Sequence, residues 1–470
     1  MAVRFCRIRQ QTNDDRKTIH EPKTILRYII VHNKGFFREG LDAEIPVFII
    51  RGRALHTSNI VTDCDQFELE DHPVDAVRSL RVAVVGAGIS GITAGILFPV
   101  RVPGINLTIY EKNNEVGGTW LENIYPGVRC DVPANVYQST FASNTQWTEE
   151  FAQGHEIREY WQNVAKKYDV YRYIKFEKKI ERTQWDQDKL LWNLQIKDIK
   201  TQEVFQEKFD ILVTAIGRFY AWKLPDYLGI DNDIQVVPEL QKVVKHLDHY
   251  ARSPTWIAGS VGGHERKAEP MYFSPEQLEE FKDPKKYLAY RKSLDDAYWR
   301  RFAALFKDSK ENAKAREEFK IVMARRLEGK PELLDSILPD FATHCRRLTP
   351  ETGIETVDGV HRAVDAIICS SGANVDFASP FAIISGDVDL ASAWKTGSKF
   401  GFPYSYLGIA TPRFPNLFFI HGPNASGHSG TLPYSVENQV TYIARVLRKI
   451  SSEGIQTIAP LKAAANDLVE

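Results

Sequence analysis

Short runs of apolar, β-branched residues alternate with stretches of helical spacing along much of this chain. Residues 82–85 are continuously apolar, as expected of a parallel strand that is buried on both faces. Residues 89–98 have the spacing of a helix, and residues 107–110 form a second apolar run. This strand–helix–strand order predicts an α/β unit built on a parallel sheet.

Two other patterns follow the first unit. Alternation of apolar and polar positions predicts antiparallel strands at residues 174–185, 191–197 and 205–209. Continuous apolar runs predict further buried strands at residues 210–217, 363–372 and 416–424. The run at 210–217 ends in glycine, which favours a return to the first sheet. Helical spacing recurs at residues 156–168 and 434–451, and residues 26–32 and 45–51 could form short strands.

Three glycines follow the first strand directly, in the spacing G-x-G-x-x-G. Gly86 permits a tight turn, Gly88 allows the backbone to approach a pyrophosphate, and Gly91 allows close packing of helix and strand. Glu111 follows the second strand, about 20 residues after Gly91, where dinucleotide folds place the acid that binds ribose hydroxyls. An acid here favours FAD or NAD over NADP, because it would repel a 2′-phosphate. The alternative is an ordinary glycine-rich turn followed by a surface glutamate.

The loops after Glu111 are rich in glycine, proline and aromatic residues. Trp120 and Tyr137 offer flat surfaces for an isoalloxazine ring, and Asp131 offers a carboxylate. These two aromatics could equally be ordinary core residues. Residues 275–340 are charged and helical, and their aromatic side chains favour one face of a helical cap over a binding site. Arg346 and Arg347 follow, and such a pair is often a surface feature.

Composition limits the class of protein without identifying its chemistry. The 470 residues are 43% hydrophobic and 26% charged, with a net charge of −1, which is typical of soluble globular proteins with several domains. This balance gives no indication of a nucleic-acid partner. Five scattered cysteines favour a reducing compartment, and no apolar run reaches the roughly 18 residues of a membrane span. We therefore expect a cytoplasmic protein without a transmembrane segment.

Several stretches together resemble the flavin-dependent Baeyer–Villiger monooxygenases, in particular those of fungal secondary metabolism. The matching stretches lie between residues 80 and 450 and are V-V-G-A-G-I-S-G ending at Gly91, G-G-T-W ending at Trp120, Y-P-G-V-R-C-D ending at Asp131, A-I-G ending at Gly217, R-S-P-T-W ending at Trp256, Arg346–Arg347, and F-P-N-L-F-F-I-H-G-P ending at Pro423.

The resemblance implies a Rossmann-type FAD-binding domain, an inserted NADP-binding domain and a helical cap. It assigns FAD to Gly86, Gly88, Ser90, Gly91, Glu111, Thr119, Trp120, Asp131 and Tyr137. It assigns the NADP phosphate to Arg252 and Ser253, and it matches Arg347 to the arginine that stabilises the flavin peroxide. The implied reaction uses NADPH and O2 to insert oxygen into a ketone, and analogy with the fungal members of the family suggests a ketone derived from a polyketide.

The sequence departs from this family inside the predicted NADP-binding domain. A second G-x-G-x-x-G and the strand before it are absent between about residues 226 and 234, and a strand segment expected after Pro350 is missing. We also expect the C-terminal part of the family to be shortened in this chain. We expect an N-terminal extension at 1–77, FAD-binding segments at 78–230 and 366–470, and an incomplete NADP-binding domain with the helical region at 231–365.

Two functions other than a monooxygenase remain open, namely a flavin-binding relative without turnover and a flavin oxidase that uses no nicotinamide.

Overall fold

The structure is a computed structural model that describes residues 27–30, 46–51, 77–219, 242–245, 256, 260–261, 264–265, 271–299, 302–306, 308–327, 329–339, 379–425 and 431–468. Within these residues the chain is a mixed α/β protein with two five-stranded sheets. The fold class predicted from the apolar pattern is thus confirmed for the Rossmann-type unit. Of the segment predicted as the inserted NADP-binding domain, the structure describes mainly the helical region, and the predicted domain boundaries stay predictions.

The first sheet is parallel throughout and carries the glycine-rich turn. Its strands are β3 (Leu80–Val85), β4 (Ile105–Tyr110), β5 (Ile174–Lys175), β9 (Ile211–Thr214) and β14 (Leu417–Phe419). They lie in the order β14-β9-β3-β4-β5. Every residue of β9 and β14 is buried, as the continuous apolar runs predicted. Helix α1 (Ile89–Arg101) follows β3 and packs against α9 (Leu432–Ser452).

The second sheet is mainly antiparallel. Its strands are β6 (Lys178–Asp186), β7 (Leu191–Asp198), β8 (Val204–Phe209), β12 (Ala382–Ser385) and β13 (Val388–Asp389), in the order β13-β12-β6-β7-β8. Strand β7 pairs antiparallel with both β6 and β8, which confirms the antiparallel prediction, and buried positions alternate with partly exposed ones along most of β7. The prediction of one strand over 174–185 is wrong. The chain turns between β5 and β6, where Glu177 has a positive φ of 56°, and passes from the first sheet to the second.

The remaining elements are helices, 3-10 turns and short strands. The helices are α2 (Thr119–Glu122), α3 (Gly154–Lys167), α4 (Pro275–Glu280), α5 (Pro284–Trp299), α6 (Lys310–Arg326), α7 (Leu334–Ile337), α8 (Leu390–Ala393) and α10 (Lys462–Asn466), with 3-10 turns at Val170–Tyr173, Phe302–Leu305 and Pro331–Leu333. The short strands are β1 (Arg27–Ile30), β2 (Pro46–Arg51), β10 (Ser260–Val261), β11 (His264–Glu265) and β15 (Thr457–Ala459).

Most of the other predicted elements are found. The two N-terminal strands exist, and β2 pairs with both β1 and β15. The helices predicted at 156–168 and 434–451 correspond to α3 and α9. The region at 275–340 is helical where it is described. The strand predicted at 363–372 lies outside the described residues.

Asp210, directly before β9, binds residues at the start of β3. Its carboxylate accepts a hydrogen bond from Arg81 N at 3.0 Å and pairs with the guanidinium groups of Arg78 at 2.9 Å and Arg81 at 3.1 Å. Burial acts to raise the pKa of Asp210, but the bonds and charges of Arg81 and Arg78 outweigh it, so the pKa lies below its usual value. The ionised carboxylate therefore stabilises the folded state.

We expect Asp210→Asn to lower the free energy of unfolding by about 1–3 kcal/mol at pH 7, the range for charged hydrogen-bonded groups. Because the folded-state pKa is depressed, this stabilisation exists above the unfolded pKa and is lost as the pH falls below about 4. Urea unfolding at several pH values should show the difference between wild type and variant shrinking in acid. Asp387→Asn is the control, since Asp387 is exposed and lies 3.8 Å from Arg413. An equal effect of both variants would contradict the prediction.

Candidate cofactor-binding site

The parallel sheet has a topological switch point between β3 and β9. From β3 the chain proceeds outward through β4 and β5, and it then returns to the other side of β3 through β9 and β14. Ligands of open α/β sheets bind beyond the carboxyl ends of the strands at such a point. The glycine-rich turn leaves β3 at this place, beside Ala215 at the end of β9.

Two glycines of the turn lack room for any side chain. Gly86 has a φ of +105°, and a Cβ there would lie 2.7 Å from the carbonyl oxygen of Ala215. A Cβ on Gly91 would lie 1.9 Å from the carbonyl oxygen of Gly86. The sequence assigned Gly91 to close packing of helix and strand, and the structure shows that its nearest neighbour is the turn itself. The turn therefore requires glycine at both positions.

A second loop, which contains Gly118, packs against the glycine-rich turn at Gly88. A Cβ on Gly118 would lie 2.9 Å from the Cα of Gly88, and Gly118 has a positive φ of 53°. Gly88 is also the N-cap of α1, and no side chain of the described residues caps that end of the helix. The first turn of α1, which includes the buried Ser90, contains no acidic residue. Free N–H groups and the helix dipole thus favour an anion at this point.

Glu111 is buried at the end of β4, so the alternative of a surface glutamate is wrong. Its Oε2 accepts a hydrogen bond from Ala87 N at 2.7 Å, and its Oε1 accepts one from Asn113 N at 2.9 Å. Burial raises the pKa of Glu111, although the bonds from Asn113 and Ala87 act in the opposite direction. The carboxylate is thereby fixed beside the glycine-rich turn.

The predicted aromatic pair is in direct contact. Trp120, in α2, is buried, and its Nε1 donates to the phenol oxygen of Tyr137 at 3.3 Å. The rings meet edge to face, with centroids 5.7 Å apart. Thr119 begins α2 and is partly exposed, whereas Asp131 is exposed. Burial raises the pKa of Tyr137, and the neighbouring Cys130 and Asp131 raise it further. Trp120 thus belongs to the core, while Tyr137 is only partly buried.

The sequence analysis did not identify a buried polar cluster that joins this loop to α5. The hydroxyl of Tyr287 accepts a hydrogen bond from Gln138 Nε2 at 2.6 Å and lies 2.7 Å from Asn135 Oδ1. It also lies 2.5 Å from the carbonyl oxygen of Asn144. The aromatic spacing of residues 275–340 suggested a helical cap, and this hydroxyl is one of the groups that attach α5 to the loop, together with Arg291, which donates to the Ser143 hydroxyl at 3.0 Å.

We expect Tyr287→Phe to lower the free energy of unfolding by about 1–3 kcal/mol, because the buried amide of Gln138 loses a partner. The ring contact with Phe281, at 5.3 Å, would remain. Urea unfolding and amide hydrogen exchange of α5 provide the measurement. Tyr434→Phe is the control, since Tyr434 is exposed. Unchanged exchange in α5 would argue against this role.

A small cavity at the carboxyl ends of β9 and β14 contains a second unpredicted group. His421 and Arg218 line it together with apolar side chains, among them Trp394 and Phe419. Burial and the charge of Arg218 lower the pKa of His421 to about 4, so the imidazole is neutral at pH 7. Its backbone N donates to Gln439 Oε1 at 2.6 Å. For Arg218 the available signal was its place directly after the strand predicted at 210–217, whereas His421 lies within the strand predicted at 416–424.

The structure therefore brings together the described part of the predicted site. Gly86, Gly88, Ser90, Gly91, Glu111, Thr119, Trp120 and Tyr137 lie around one end of the parallel sheet, and Asp131 lies near Tyr137. Arg252, Ser253 and Arg347 lie outside the described residues. In the described part of the chain, no helix is long and apolar enough to cross a membrane, and no cluster of potential metal ligands occurs.

Comparison with known proteins gives a consistent result. A sequence-family profile described as "NAD(P)-binding Rossmann-like domain" matches residues 84–153. The FAD-binding monooxygenase tazF of Aspergillus terreus is 29% identical, over 84% of this chain and 80% of its own length. A Baeyer–Villiger monooxygenase of Pseudomonas aeruginosa is 26% identical, over 84% of this chain and 82% of its own. A closed crystal structure of cyclohexanone monooxygenase has a TM-score of 0.66 at 21% identity, over 83% of this chain and 88% of its own.

Proposed function

We propose that this chain, which is related in sequence to FAD-binding monooxygenases and shares their fold, is an FAD-dependent monooxygenase that inserts oxygen into a ketone. The observation that carries the proposal is the glycine-rich turn at the switch point, with Glu111 buried beside it. NADPH would be the reductant and O2 the second substrate, as the resemblance to Baeyer–Villiger monooxygenases implies.

The described residues fit FAD by their geometry. Gly86 and Gly91 leave no space for side chains, and the uncapped start of α1 offers N–H groups to a pyrophosphate. Both oxygens of Glu111 are oriented by backbone N–H groups, which leaves their remaining lone pairs for ribose hydroxyls. Bound FAD would supply the redox chemistry with O2, which protein side chains cannot provide.

The protein's contribution is to bind, orient and shield that group. Tyr137 would border the flavin, with its ring held by Trp120. Arg347 would place a positive charge where negative charge develops on oxygen, as the resemblance suggests. An enclosed site would also limit wasteful release of hydrogen peroxide. A small-molecule ketone is the proposed substrate, and the resemblance to the fungal enzymes suggests a ketone derived from a polyketide.

A second candidate function is a flavin-binding protein without NADPH-driven turnover. One observation favours it, namely that the sequence contains a single G-x-G-x-x-G. Arg252 and Ser253 are the residues proposed for the NADP phosphate, but no second glycine loop accompanies them to hold the pyrophosphate. A flavin oxidase that uses no nicotinamide is the remaining alternative.

The deciding experiment is an absorbance spectrum of the purified protein before and after anaerobic addition of NADPH. The monooxygenase proposal expects stoichiometric flavin that bleaches, followed by NADPH consumption that a ketone couples to product. Flavin that stays oxidised would favour the second candidate. Hydrogen peroxide formed from substrate without NADPH would favour the oxidase, and a protein that binds no FAD would refute all three.

A further inference from the structure

One buried carboxylate from helix α9 accepts hydrogen bonds from the loop that follows Tyr137. Glu437, in α9, is 8% exposed. Its Oε1 accepts hydrogen bonds from the Ser139 hydroxyl and from Thr140 N, both at 2.8 Å. Its Oε2 accepts a third from the Thr140 hydroxyl at 2.5 Å. Three donors from a single loop thus converge on a side chain almost 300 residues away.

Helix α3 supports the same loop from another direction. The phenol oxygen of Tyr160 accepts a hydrogen bond from Ser139 N at 2.9 Å and donates to the Ala142 carbonyl at 2.7 Å. Residues 139–142 belong to no helix or strand, so their backbone groups depend on such partners. A loop fixed this closely by buried polar groups has little freedom to move.

This loop is connected to the glycine-rich turn by direct contacts. Tyr137 precedes Ser139 by two residues and accepts the hydrogen bond from Trp120. Trp120 follows Gly118 by two residues, and Gly118 lies against Gly88. Glu437 therefore acts at one end of a short chain of contacts that ends at the proposed cofactor.

We infer that Glu437 is a positioning residue, which holds Tyr137 in place beside the flavin through Ser139 and Thr140. This inference rests on the proposed function, because it assigns the flavin to the face that Tyr137 borders. The carboxylate suits the task because it accepts all three hydrogen bonds at once. A glutamine could retain them, since the Thr140 hydroxyl can turn to accept a bond from the amide.

The test compares Glu437→Ala and Glu437→Gln by titrating the apoprotein with FAD and recording the visible circular dichroism of the bound flavin. We expect the alanine variant to bind FAD about tenfold more weakly, a loss of about 1.4 kcal/mol, with an altered flavin spectrum. The glutamine variant should stay within about threefold of wild type. Glu453→Gln is the matched control, because Glu453 is exposed, lies at the end of the same helix and pairs with Lys449.

A double-mutant cycle separates positioning from general stability. If Glu437 acts through Tyr137, the loss caused by Glu437→Ala should fall below about twofold in a Tyr137→Ala background. A full tenfold loss in that background would overturn the inference, as would wild-type affinity and spectrum in Glu437→Ala. If the alanine variant does not fold, Thr140→Val provides the same comparison, with about a threefold loss expected. A wild-type protein that binds no FAD would refute the proposed function, and this inference with it.

Discussion

Gly91→Ala is expected to abolish FAD binding and to lower the free energy of unfolding by about 3 kcal/mol, the upper end of the usual cost of overpacking. The added Cβ would lie 1.9 Å from the Gly86 carbonyl oxygen, so the turn itself must shift. The start of α1 would move with it, and the anion site formed by its N–H groups would be lost. Flavin content after reconstitution and urea unfolding would measure the two effects.

The matched control for this substitution is Gly329→Ala. Gly329 is exposed, and a Cβ there would meet no atom within 4 Å. This variant should keep the flavin and the stability of wild type. Stoichiometric flavin in Gly91→Ala would mean that the cofactor does not use this turn, and the FAD assignment would be wrong.

Glu111→Gln is expected to have the second-largest effect, although glutamine has nearly the same shape. Both carboxylate oxygens of Glu111 accept hydrogen bonds from backbone N–H groups. The NH2 group of the glutamine side chain would therefore face another donor, at Ala87 or at Asn113. We expect a loss of about 1–3 kcal/mol in the free energy of unfolding. FAD binding should weaken by about 10- to 100-fold, because charged acceptors form the stronger bonds to ribose hydroxyls.

Titration of the apoprotein with FAD, together with urea unfolding, tests this expectation. The exposed Glu453→Gln again provides the control, since it makes the same chemical change without burial. Loss of stability without loss of FAD affinity would show that Glu111 supports the turn but does not contact the ribose. Unchanged values for both quantities would contradict the hydrogen-bonding role as well.

The parts of the fold that the sequence predicted are those with a local signal. Strand β3, helix α1 and the acid after β4 follow each other within about 30 residues, and the spacing of Gly86, Gly88 and Gly91 sets their geometry. The buried strand β9 was recognisable for the same reason, as a continuous apolar run. Apolar periodicity depends on neighbouring residues only, so it predicts elements better than it predicts their partners.

The parts that the sequence did not predict depend on distant contacts. Strand β12 pairs in parallel with β6, about 200 residues earlier, and no local pattern specifies that partner. Glu437 and Tyr287 were unremarkable as a helical glutamate and a helical tyrosine, and their roles appear only when Thr140 and Gln138 lie beside them. The break between β5 and β6 was missed because Ile174, Phe176 and Ile180 keep the same two-residue period on both sides of the turn at Glu177.

The wide separation of β9 and β14 along the chain has a consequence for biosynthesis. The edge of the parallel sheet beside β9 stays unpaired until β14, which ends at Phe419, has left the ribosome. Helix α1 likewise lacks its packing partner until α9, which ends at Ser452, has emerged. While the intervening residues are synthesised, the nascent chain therefore carries an open strand edge and an uncovered apolar helix face, and surfaces of both kinds favour aggregation before folding is complete.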